Sequence, residues 1–232
     1  MSAYDAFAAV YDDWASHMTE DVEFYVSLAR EAGTQGALVE LAVGNGRVAI
    51  PVAKAAGRKV IGIDASAAML AQATERAAEA GVDLDLRKGD MRDLSPDEPA
   101  ALVYCPFRGL LHLPTWRDRR RVFERVAASL APGGRFAWNV FVFNPHIAAE
   151  MDGKWEEHAG IRNRVTHVPA DNRIDLELGT GAKVSLWWAT RSEWEGLIEV
   201  AGLEVEALYS GFEHEPFDEE SREFVWVARK PA

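Results

Sequence analysis

The sequence is poor in cysteine and in long apolar runs. Its 232 residues include one cysteine, Cys105, which cannot form a disulfide within the chain and which favours a reducing compartment. The longest apolar run, residues 136–143, has the length of a strand and falls short of the ~20 residues that a membrane-spanning helix needs. The N-terminus lacks the basic and apolar pattern of a signal peptide. We therefore expect a cytoplasmic protein with no membrane partner.

Basic residues are scarce beside acidic ones. The chain has 25 lysines and arginines against 37 aspartates and glutamates, which gives a net charge of −12. Because a surface of this sign repels phosphate backbones, we do not expect a nucleic-acid partner. One basic run consists of Arg117, Arg119, Arg120, Arg121 and Arg125. We interpret it as the solvated face of a helix, and the alternative is a basic groove for a protein or tRNA.

The motifs of other enzyme classes are missing from the sequence. The six histidines show no paired metal-ligand spacing, so we expect no metal site. The chain has neither a G-x-S-x-G nucleophile elbow nor a P-loop. Cys105 precedes Pro106 at the end of a predicted strand, and we interpret it as a small structural residue rather than a nucleophile.

An alternation of strands and helices occupies residues 37–143. Short apolar runs predict strands at 37–41, 59–63, 100–104 and 135–143, and alternating apolar and charged residues predict an edge-proximal strand at 82–86. Helical periodicity predicts helices at 47–56, from the N-cap Ser66 onwards and at 116–130, with a turn at 132–134. This order indicates a Rossmann-like α/β fold, in which a mostly parallel sheet is wound on both sides by helices.

The pattern changes after residue 145. Residues 150–189 contain segments of alternating hydrophobicity and predict a small antiparallel insertion, with a hairpin turn at 179–181. A helix is predicted from Thr190 or Ser192 to about residue 201, followed by strands at 203–209 and 224–228. The connection between these strands is too short for a parallel crossover, so the last pair is predicted to be antiparallel.

Three acidic residues come at the ends of three predicted strands. Glu40 closes the first strand, Asp64 closes the second and Asp90 follows the third. Because ligands of open parallel sheets bind across the carboxyl ends of the strands, these acids can contact one ligand. Their chemistry suits a nucleoside that carries two hydroxyls, an amine and a positive centre.

A glycine loop lies between the first two of these acids. Gly44 and Gly46 carry no Cβ and let the backbone approach a ligand closely. Asp64 lies 18 residues after Gly46, the spacing expected of a carboxylate that accepts hydrogen bonds from both ribose hydroxyls.

The remaining two acids are assigned to the other polar groups of such a ligand. Asp90 is predicted to accept from an adenine amino group, with Met69 and Met91 as apolar walls. Glu40 is predicted to hold an ammonium group, directly or through water.

With these residues in place, the sequence resembles the class I S-adenosylmethionine-dependent methyltransferases. Four stretches match in the family's order across about residues 37–143, namely VELAVGNGR (39–47), VIGIDAS (60–66), GDMRDL (89–94) and LAPGGRF (130–136). The resemblance implies S-adenosylmethionine as methyl donor and S-adenosylhomocysteine as product. It adds Ala42, Asn45 and Ala65 to the cofactor site. Ala42 departs from the glycine that the family usually has at that position.

The glycine loop alone also fits a second class of protein. Residues 44–49 match the dinucleotide pattern G-x-G-x-x-A, so a nicotinamide oxidoreductase is an alternative. Three features favour the methyltransferase. These are the acid four residues before Gly44, the third acid at Asp90 and the predicted antiparallel final strand pair.

The N-terminal segment also resembles the small-molecule members of the family. Residues 1–35 are predicted to form a helical lid, in which Tyr11 touches the methionine end of the cofactor and Trp14 touches the substrate. The alternative is that both aromatic side chains only anchor the helix. The whole chain, 1–232, is then one domain. It comprises the lid (1–35), a cofactor-binding core (37–143), the antiparallel insertion (150–189), and a C-terminal helix and hairpin (190–232).

The segment after the fourth predicted strand is expected to lie beside the methyl group. Phe107 is predicted to cover the cofactor, and His112 is the candidate general base. Arg108 is the candidate for binding an acceptor carboxylate or phosphate. The structural alternatives are that His112 packs at a helix start and that Arg108 forms a surface ion pair.

Four tryptophans, Trp155, Trp187, Trp188 and Trp194, are candidates for the walls of an acceptor pocket, with Trp187 as the substrate contact. Their alternative places are the core or the interface of a homodimer. We expect a methyltransferase that acts on nitrogen or oxygen of a small molecule. A methyltransferase of protein or tRNA and a non-catalytic cofactor-binding module are the alternatives.

Overall fold

The structure is a computed structural model that describes residues 19–158 and 160–232. The helices are α1 (Val22–Glu31), α2 (Ala49–Ala56), α3 (Ala67–Ala80), α4 (Trp116–Ser129), α5 (Pro145–Met151) and α6 (Arg191–Val200). The strands are β1 (Ala37–Leu41), β2 (Val60–Asp64), β3 (Leu84–Lys88), β4 (Ala100–Cys105), β5 (Leu130–Phe141), β6 (Trp155–His158), β7 (Ile161–Val168), β8 (Arg173–Leu178), β9 (Lys183–Trp187), β10 (Glu204–Tyr209) and β11 (Glu223–Arg229). None of the helices in these ranges is long and apolar enough to cross a membrane.

A seven-stranded sheet forms the centre of the fold, in the order β10-β11-β5-β4-β1-β2-β3. β1 to β5 pair in parallel, whereas β11 runs antiparallel to both β5 and β10. The Rossmann-like prediction and the antiparallel final pair are confirmed. β1 is flanked by β2 on one side and β4 on the other, so the order reverses there. This is the point at which such sheets bind ligands.

Helices cover both faces of this sheet. On one face α1 and α2 bury Phe24, Tyr25 and Val52 against β1 and β4. On the other face α4 and α6 bury Phe123 and Trp194 against β5 and β11. All five residues of β1 are buried, as expected for a strand in the middle of a parallel sheet.

Local capping residues explain where two of the predicted helices begin. The Ser66 hydroxyl accepts a hydrogen bond from the Met69 amide at 3.2 Å and starts α3. Thr190 and Glu193 form a reciprocal capping box that starts α6. Such reciprocal bonds satisfy amides that lack partners within the helix. Of the two predicted start points for α6, the structure therefore selects Thr190.

The predicted insertion is a four-stranded antiparallel sheet, β6-β7-β8-β9. Its hairpin turn is at the predicted place, because the Gly181 amide donates to the Leu178 carbonyl at 2.8 Å. Leu176 and Leu178 are buried within the small core of this sheet. Leu186 of β9 packs against the main core, so the insertion is attached to the cofactor-binding part of the fold.

Two local predictions need correction. Residues 132–134 do not form a free turn, because they lie within β5, where the pairing register with β4 shifts. The Gly133 amide donates to the Lys230 carbonyl at 3.0 Å, which keeps the segment in the sheet. Helix α5 was not predicted. Asn144 caps it by accepting from the His146 and Ile147 amides.

The basic run on α4 is a solvated face only in part, because Arg117, Arg120 and Arg121 are exposed whereas Arg119 and Arg125 are not. Arg119 is 4% exposed and donates to the carbonyl of Trp187. Arg125 donates to the carbonyl of Leu94 from Nε at 2.8 Å and from Nη2 at 2.6 Å. Arg121 pairs with Asp93. These guanidinium groups connect α4 to the segment after β3 and to the insertion.

The tryptophans were candidates for pocket walls, and most occupy other places. Trp194 is fully buried in the core with Trp138. Trp188 stacks on Phe143 with ring centroids 4.1 Å apart. Trp155 is 38% exposed and lies beneath two arginines of β7.

Candidate active site

A cavity of about 320 Å³ opens at the carboxyl ends of β1, β2 and β4. Eight of the predicted cofactor residues line it, together with the candidate base His112, and these eight are Ala42, Gly44, Asp64, Ala65, Met69, Asp90, Met91 and Phe107. Residues that the sequence analysis did not select also line it, namely Ile63, Gly89, Arg92, Pro106, Gly109, Leu113 and Pro114. The topology thus brings residues from four separate loops to one cavity.

The carboxylate of Asp64 is held in one orientation by two backbone amides. Gly44 donates to Oδ2 at 2.9 Å, and Ser66 donates to Oδ1 at 2.7 Å. The first bond joins the glycine loop to the end of β2. A carboxylate fixed in this way loses little conformational freedom when it accepts further hydrogen bonds from a ligand.

The glycine loop has the left-handed backbone that the two glycines favour. Gly44 has a φ of 55° and Gly46 a φ of 79°, a region that costs a residue with a Cβ roughly 1–2 kcal/mol. Ala42 has the same conformation, with a φ of 54°. Asn45 is buried and, like Gly46, does not line the cavity. Asn45 and Gly46 thus belong to the turn itself, whereas Ala42 and Gly44 line the cavity.

Asp90 is paired with Arg92, a residue that the sequence analysis did not assign. Arg92 donates to Asp90 through its amide at 2.9 Å and through Nη2 at 2.6 Å. The guanidinium also reaches Asp118 of α4 at 2.7 Å. The hydrogen bonds from Arg92 lower the pKa of Asp90, so this carboxylate is ionised at neutral pH.

Glu40 lies behind the cavity rather than in its lining. Its side chain is 2% exposed, and Oε2 has no hydrogen-bond partner in the part of the chain that the structure describes. Burial raises the pKa of Glu40 well above its usual value, although Tyr104 and Arg47 lower it. A buried carboxylate oxygen without a partner is costly unless a ligand or water supplies one.

Phe107 and Arg108 adopt left-handed conformations, with φ values of 52° and 65°. Asn139 of β5 holds this segment. Its Oδ1 accepts from the Phe107 amide at 2.8 Å and from the Tyr25 hydroxyl at 2.9 Å, and its Nδ2 donates to Glu223 at 2.8 Å. Sequence analysis missed Asn139. The available signal was a polar residue in the middle of an otherwise apolar strand.

A second cavity of about 440 Å³ lies on the other side of Phe107. Its lining consists of Glu20, Asp21, Phe107, Arg108, Asn139, Ser210, Gly211, Phe212, Glu213, Glu215 and Glu223. Arg108 lines this cavity rather than the first one, and its Nη2 forms an ion pair with Glu223 at 3.0 Å. Phe107 therefore belongs to both cavities.

His112 lies in a single 3₁₀ turn, Gly109–His112, after β4. It lines the first cavity and hydrogen-bonds to the backbone of Ser185 in β9. Burial lowers the pKa of His112 to about 4. The imidazole is consequently neutral at pH 7.

The other predicted site residues have different outcomes. Tyr11 and Trp14 lie outside the described residues. Trp187 lines neither cavity. Cys105 is fully buried and its pKa is raised by burial, so its thiol stays protonated, in line with a structural role. In residues 19–158 and 160–232 there is no cluster of metal-ligating side chains.

The fold and the first cavity are those of an α/β protein that binds a nucleoside-type ligand at its sheet's switch point. Residues 38–134 match the family model described as a methyltransferase domain. The CcbJ methyltransferase from Streptomyces caelestis has a similar structure, with a TM-score of 0.86 and 25% identity over 100% of this chain and 99% of that one. The chain belongs to the class I S-adenosylmethionine-dependent methyltransferases.

Two curated proteins are similar in sequence over part of their length. The 27-O-demethylrifamycin SV methyltransferase of Amycolatopsis mediterranei (strain S699) is 30% identical over 184 residues, which are 73% of this chain and 66% of that protein. The dTDP-4-amino-2,3,4,6-tetradeoxy-D-glucose N,N-dimethyltransferase of Saccharopolyspora spinosa is 33% identical over 132 residues, which are 56% of this chain and 50% of that protein. The chain thus spans half to about two thirds of these relatives.

Proposed function

We propose that this protein transfers the methyl group of S-adenosylmethionine to nitrogen or oxygen of a small molecule. The observation that carries the proposal is the cavity at the strand-order reversal, in which Asp64 is fixed by Gly44 and Ser66. The names of the two curated relatives, a methyltransferase of a demethylrifamycin and a dimethyltransferase of an amino-sugar nucleotide, support a small acceptor.

The residues of the first cavity fit an adenosine cofactor. Asp64 offers two carboxylate oxygens to ribose hydroxyls, and Met69 and Met91 offer apolar walls for adenine. Glu40 has a buried oxygen without a protein partner in the described part of the chain, which suits an ammonium group or its bridging water. When bound, the cofactor supplies a methyl group already activated by a sulfonium.

Because the donor is activated, the protein mainly has to align the acceptor and exclude water. Phe107, held by Asn139 and lying under the Arg47 guanidinium at 5.1 Å, provides a fixed wall for this purpose. His112 is neutral at pH 7 and is the candidate to accept a proton from a hydroxyl. Contacts from Tyr11 and Trp14, a cytoplasmic location and a homodimer stay predictions.

A macromolecular acceptor is less well supported by the structure. Three of the α4 arginines that were candidates for a basic groove bind Trp187, Asp93 and Leu94, and a fourth, Arg120, pairs with Glu124. The second cavity, which adjoins Phe107, has five acidic residues among the eleven described residues that line it. Such a lining disfavours an RNA backbone.

Turnover with an acceptor panel tests the proposal. Purified protein, S-adenosylmethionine and a panel of small amines and alcohols are incubated, and S-adenosylhomocysteine formation is followed. We expect acceptor-dependent product formation that Asp64→Ala abolishes. Tight S-adenosylhomocysteine binding without turnover on any acceptor contradicts an enzyme and favours a non-catalytic binding module.

A further inference from the structure

Phe107 is where the two cavities meet. This residue lines both cavities, and its backbone amide donates a 2.8 Å hydrogen bond to Asn139. The Arg47 guanidinium lies over the ring and is held by Asp21 through two bonds of 2.6 and 2.7 Å. A molecule in the second cavity would therefore lie next to the cofactor cavity, with Phe107 at their shared edge.

The second cavity carries an excess of negative charge. Among the residues that the structure describes, its lining has one guanidinium, that of Arg108, and five carboxylates, those of Glu20, Asp21, Glu213, Glu215 and Glu223. Arg47 neutralises Asp21 and Arg108 neutralises Glu223. In the described part of the chain, no lysine or arginine pairs with the other three carboxylates.

The interior of this cavity is also built from fixed polar groups. Asn139 is 3% exposed and donates to Oε1 of Glu223 at 2.8 Å, while Arg108 holds Oε2 at 3.0 Å. The Glu223 side chain is 14% exposed, so this carboxylate is oriented in a mostly dry place. Phe107 and Phe212 add apolar walls. Apolar walls with a few oriented polar groups are characteristic of small-molecule sites.

We propose that the second cavity binds the methyl acceptor and that the acceptor carries an aliphatic amine. This inference rests on the proposed function and narrows its acceptor from nitrogen or oxygen to nitrogen. The unpaired carboxylates attract the protonated amine from solution and accept its hydrogen bonds. The same carboxylates repel an acceptor that carries a carboxylate or phosphate. The sequence analysis assigned such an anion to Arg108, but Arg108 is already paired with Glu223.

The chemistry balances with a proton released to water. The bound ammonium first loses one proton to solvent. The nitrogen lone pair of the neutral amine then forms the N–C bond while the C–S bond breaks and its electron pair remains on sulfur. Positive charge passes from sulfur to nitrogen, where the exposed carboxylates of Glu213 and Glu215 attract it through partly screened electrostatics.

Ligand-observed NMR on the full chain saturated with S-adenosylhomocysteine tests the inference. The probes are cyclohexylamine with cyclohexanol and further ring amines, each with the alcohol of the same carbon skeleton. We expect the amines to bind more tightly than their alcohols. Glu213→Gln/Glu215→Gln should weaken amine binding about threefold to tenfold, and added salt should weaken it too. The matched control Glu219→Gln/Glu220→Gln changes the same charge in the same connection outside the cavity lining and should leave binding unchanged.

The two proposals fail in different ways. If calorimetry shows no binding of S-adenosylhomocysteine, the proposed function falls and this inference falls with it. If S-adenosylhomocysteine binds but no amine binds better than its alcohol, only the amine inference is contradicted. Equal effects of the cavity and control variants contradict it as well.

Discussion

The backbone amide of Phe107 donates a 2.8 Å hydrogen bond to Oδ1 of Asn139. The same oxygen accepts from the buried hydroxyl of Tyr25 at 2.9 Å. One side chain of β5 therefore fixes the loop after β4, which carries the residue shared by the two cavities, and connects this loop to α1.

Replacing Asn139 with leucine should destabilise the fold. Asn139→Leu leaves the Phe107 amide and the Tyr25 hydroxyl without an acceptor, and each buried unsatisfied group costs about 1–3 kcal/mol. We expect urea denaturation to show a loss of about 2–4 kcal/mol. Tyr25→Phe removes one of the two donors and should cost only about 1 kcal/mol. A stability of Asn139→Leu equal to wild type would contradict this role.

Ala42→Gly should stabilise the protein slightly. Ala42 has a φ of 54°, a conformation that costs a residue with a Cβ roughly 1–2 kcal/mol. Glycine removes that strain but adds about 0.5–1 kcal/mol of unfolded-chain entropy, so we expect a net gain of about 0.5 kcal/mol. The control Ala55→Gly, within α2, should lose about 1 kcal/mol. Equal losses in both variants, measured by urea denaturation, would rule out strain at Ala42.

Glu40→Gln should stabilise the ligand-free protein above neutral pH and weaken cofactor binding. Because burial raises the pKa of Glu40, the folded state binds the carboxyl proton more tightly than the unfolded state does. The stability that this proton contributes is therefore lost as the pH rises from the unfolded pKa towards the higher folded pKa. The neutral amide avoids that loss. We expect the variant to unfold at higher urea concentration at pH 8.

Glu40→Gln should also weaken S-adenosylhomocysteine binding about tenfold or more. The variant loses the proposed hydrogen bond between the carboxylate and the ammonium group, and a hydrogen bond to a charged group contributes about 1.5–3 kcal/mol. The exposed Glu204→Gln is the control for both measurements. A glutamine variant that is less stable at pH 8, or that binds the product as tightly as wild type, would contradict the proposed role of Glu40.

His112 should make the fold acid-sensitive. Burial lowers the pKa of His112 to about 4, whereas the unfolded chain titrates near 6.5, so the unfolded state binds more protons between these values. Stability is therefore present above pH 6.5 and is lost as the pH falls towards 4. After a discount for the partial exposure of the ring we expect a loss of about 2 kcal/mol.

His112→Gln should remove this slope. Guanidinium denaturation of wild type and variant at pH 4.5 and pH 7 measures the difference. If the two proteins lose stability in parallel between these pH values, His112 is not the group responsible.

The sequence predicted the sheet and many of the residues that line the first cavity, because both depend on local patterns. Strand β1 is recognisable because four of its five residues are apolar. The start of α3 is recognisable because the side chain of Ser66 caps it. Asp64 could be placed because its position follows from the strand that precedes it. The positions of these residues in the fold could be predicted because they depend on neighbouring residues in the chain.

The missed features depend on contacts between distant segments. Asn139 lies 32 residues from Phe107 and 114 from Tyr25, and no local pattern connects them. Arg119 resembled a solvated arginine until the insertion placed the carbonyl of Trp187 beside it. The acidic second cavity combines the start of α1, the loop after β4 and the connection between β10 and β11. The excess of negative charge in this cavity could not be predicted from the sequence, because it depends on how these segments come together in the fold.

Calorimetric titration of the protein with S-adenosylhomocysteine tests the central claim most directly. We expect wild type to bind and Asp64→Ala to bind about 30-fold or more weakly, because the ribose hydroxyls lose their charged acceptor. The exposed Asp83→Asn, at the opposite end of the sheet beside Lys59, should bind as wild type does. No binding to wild type, or equal binding to Asp64→Ala, would contradict the account.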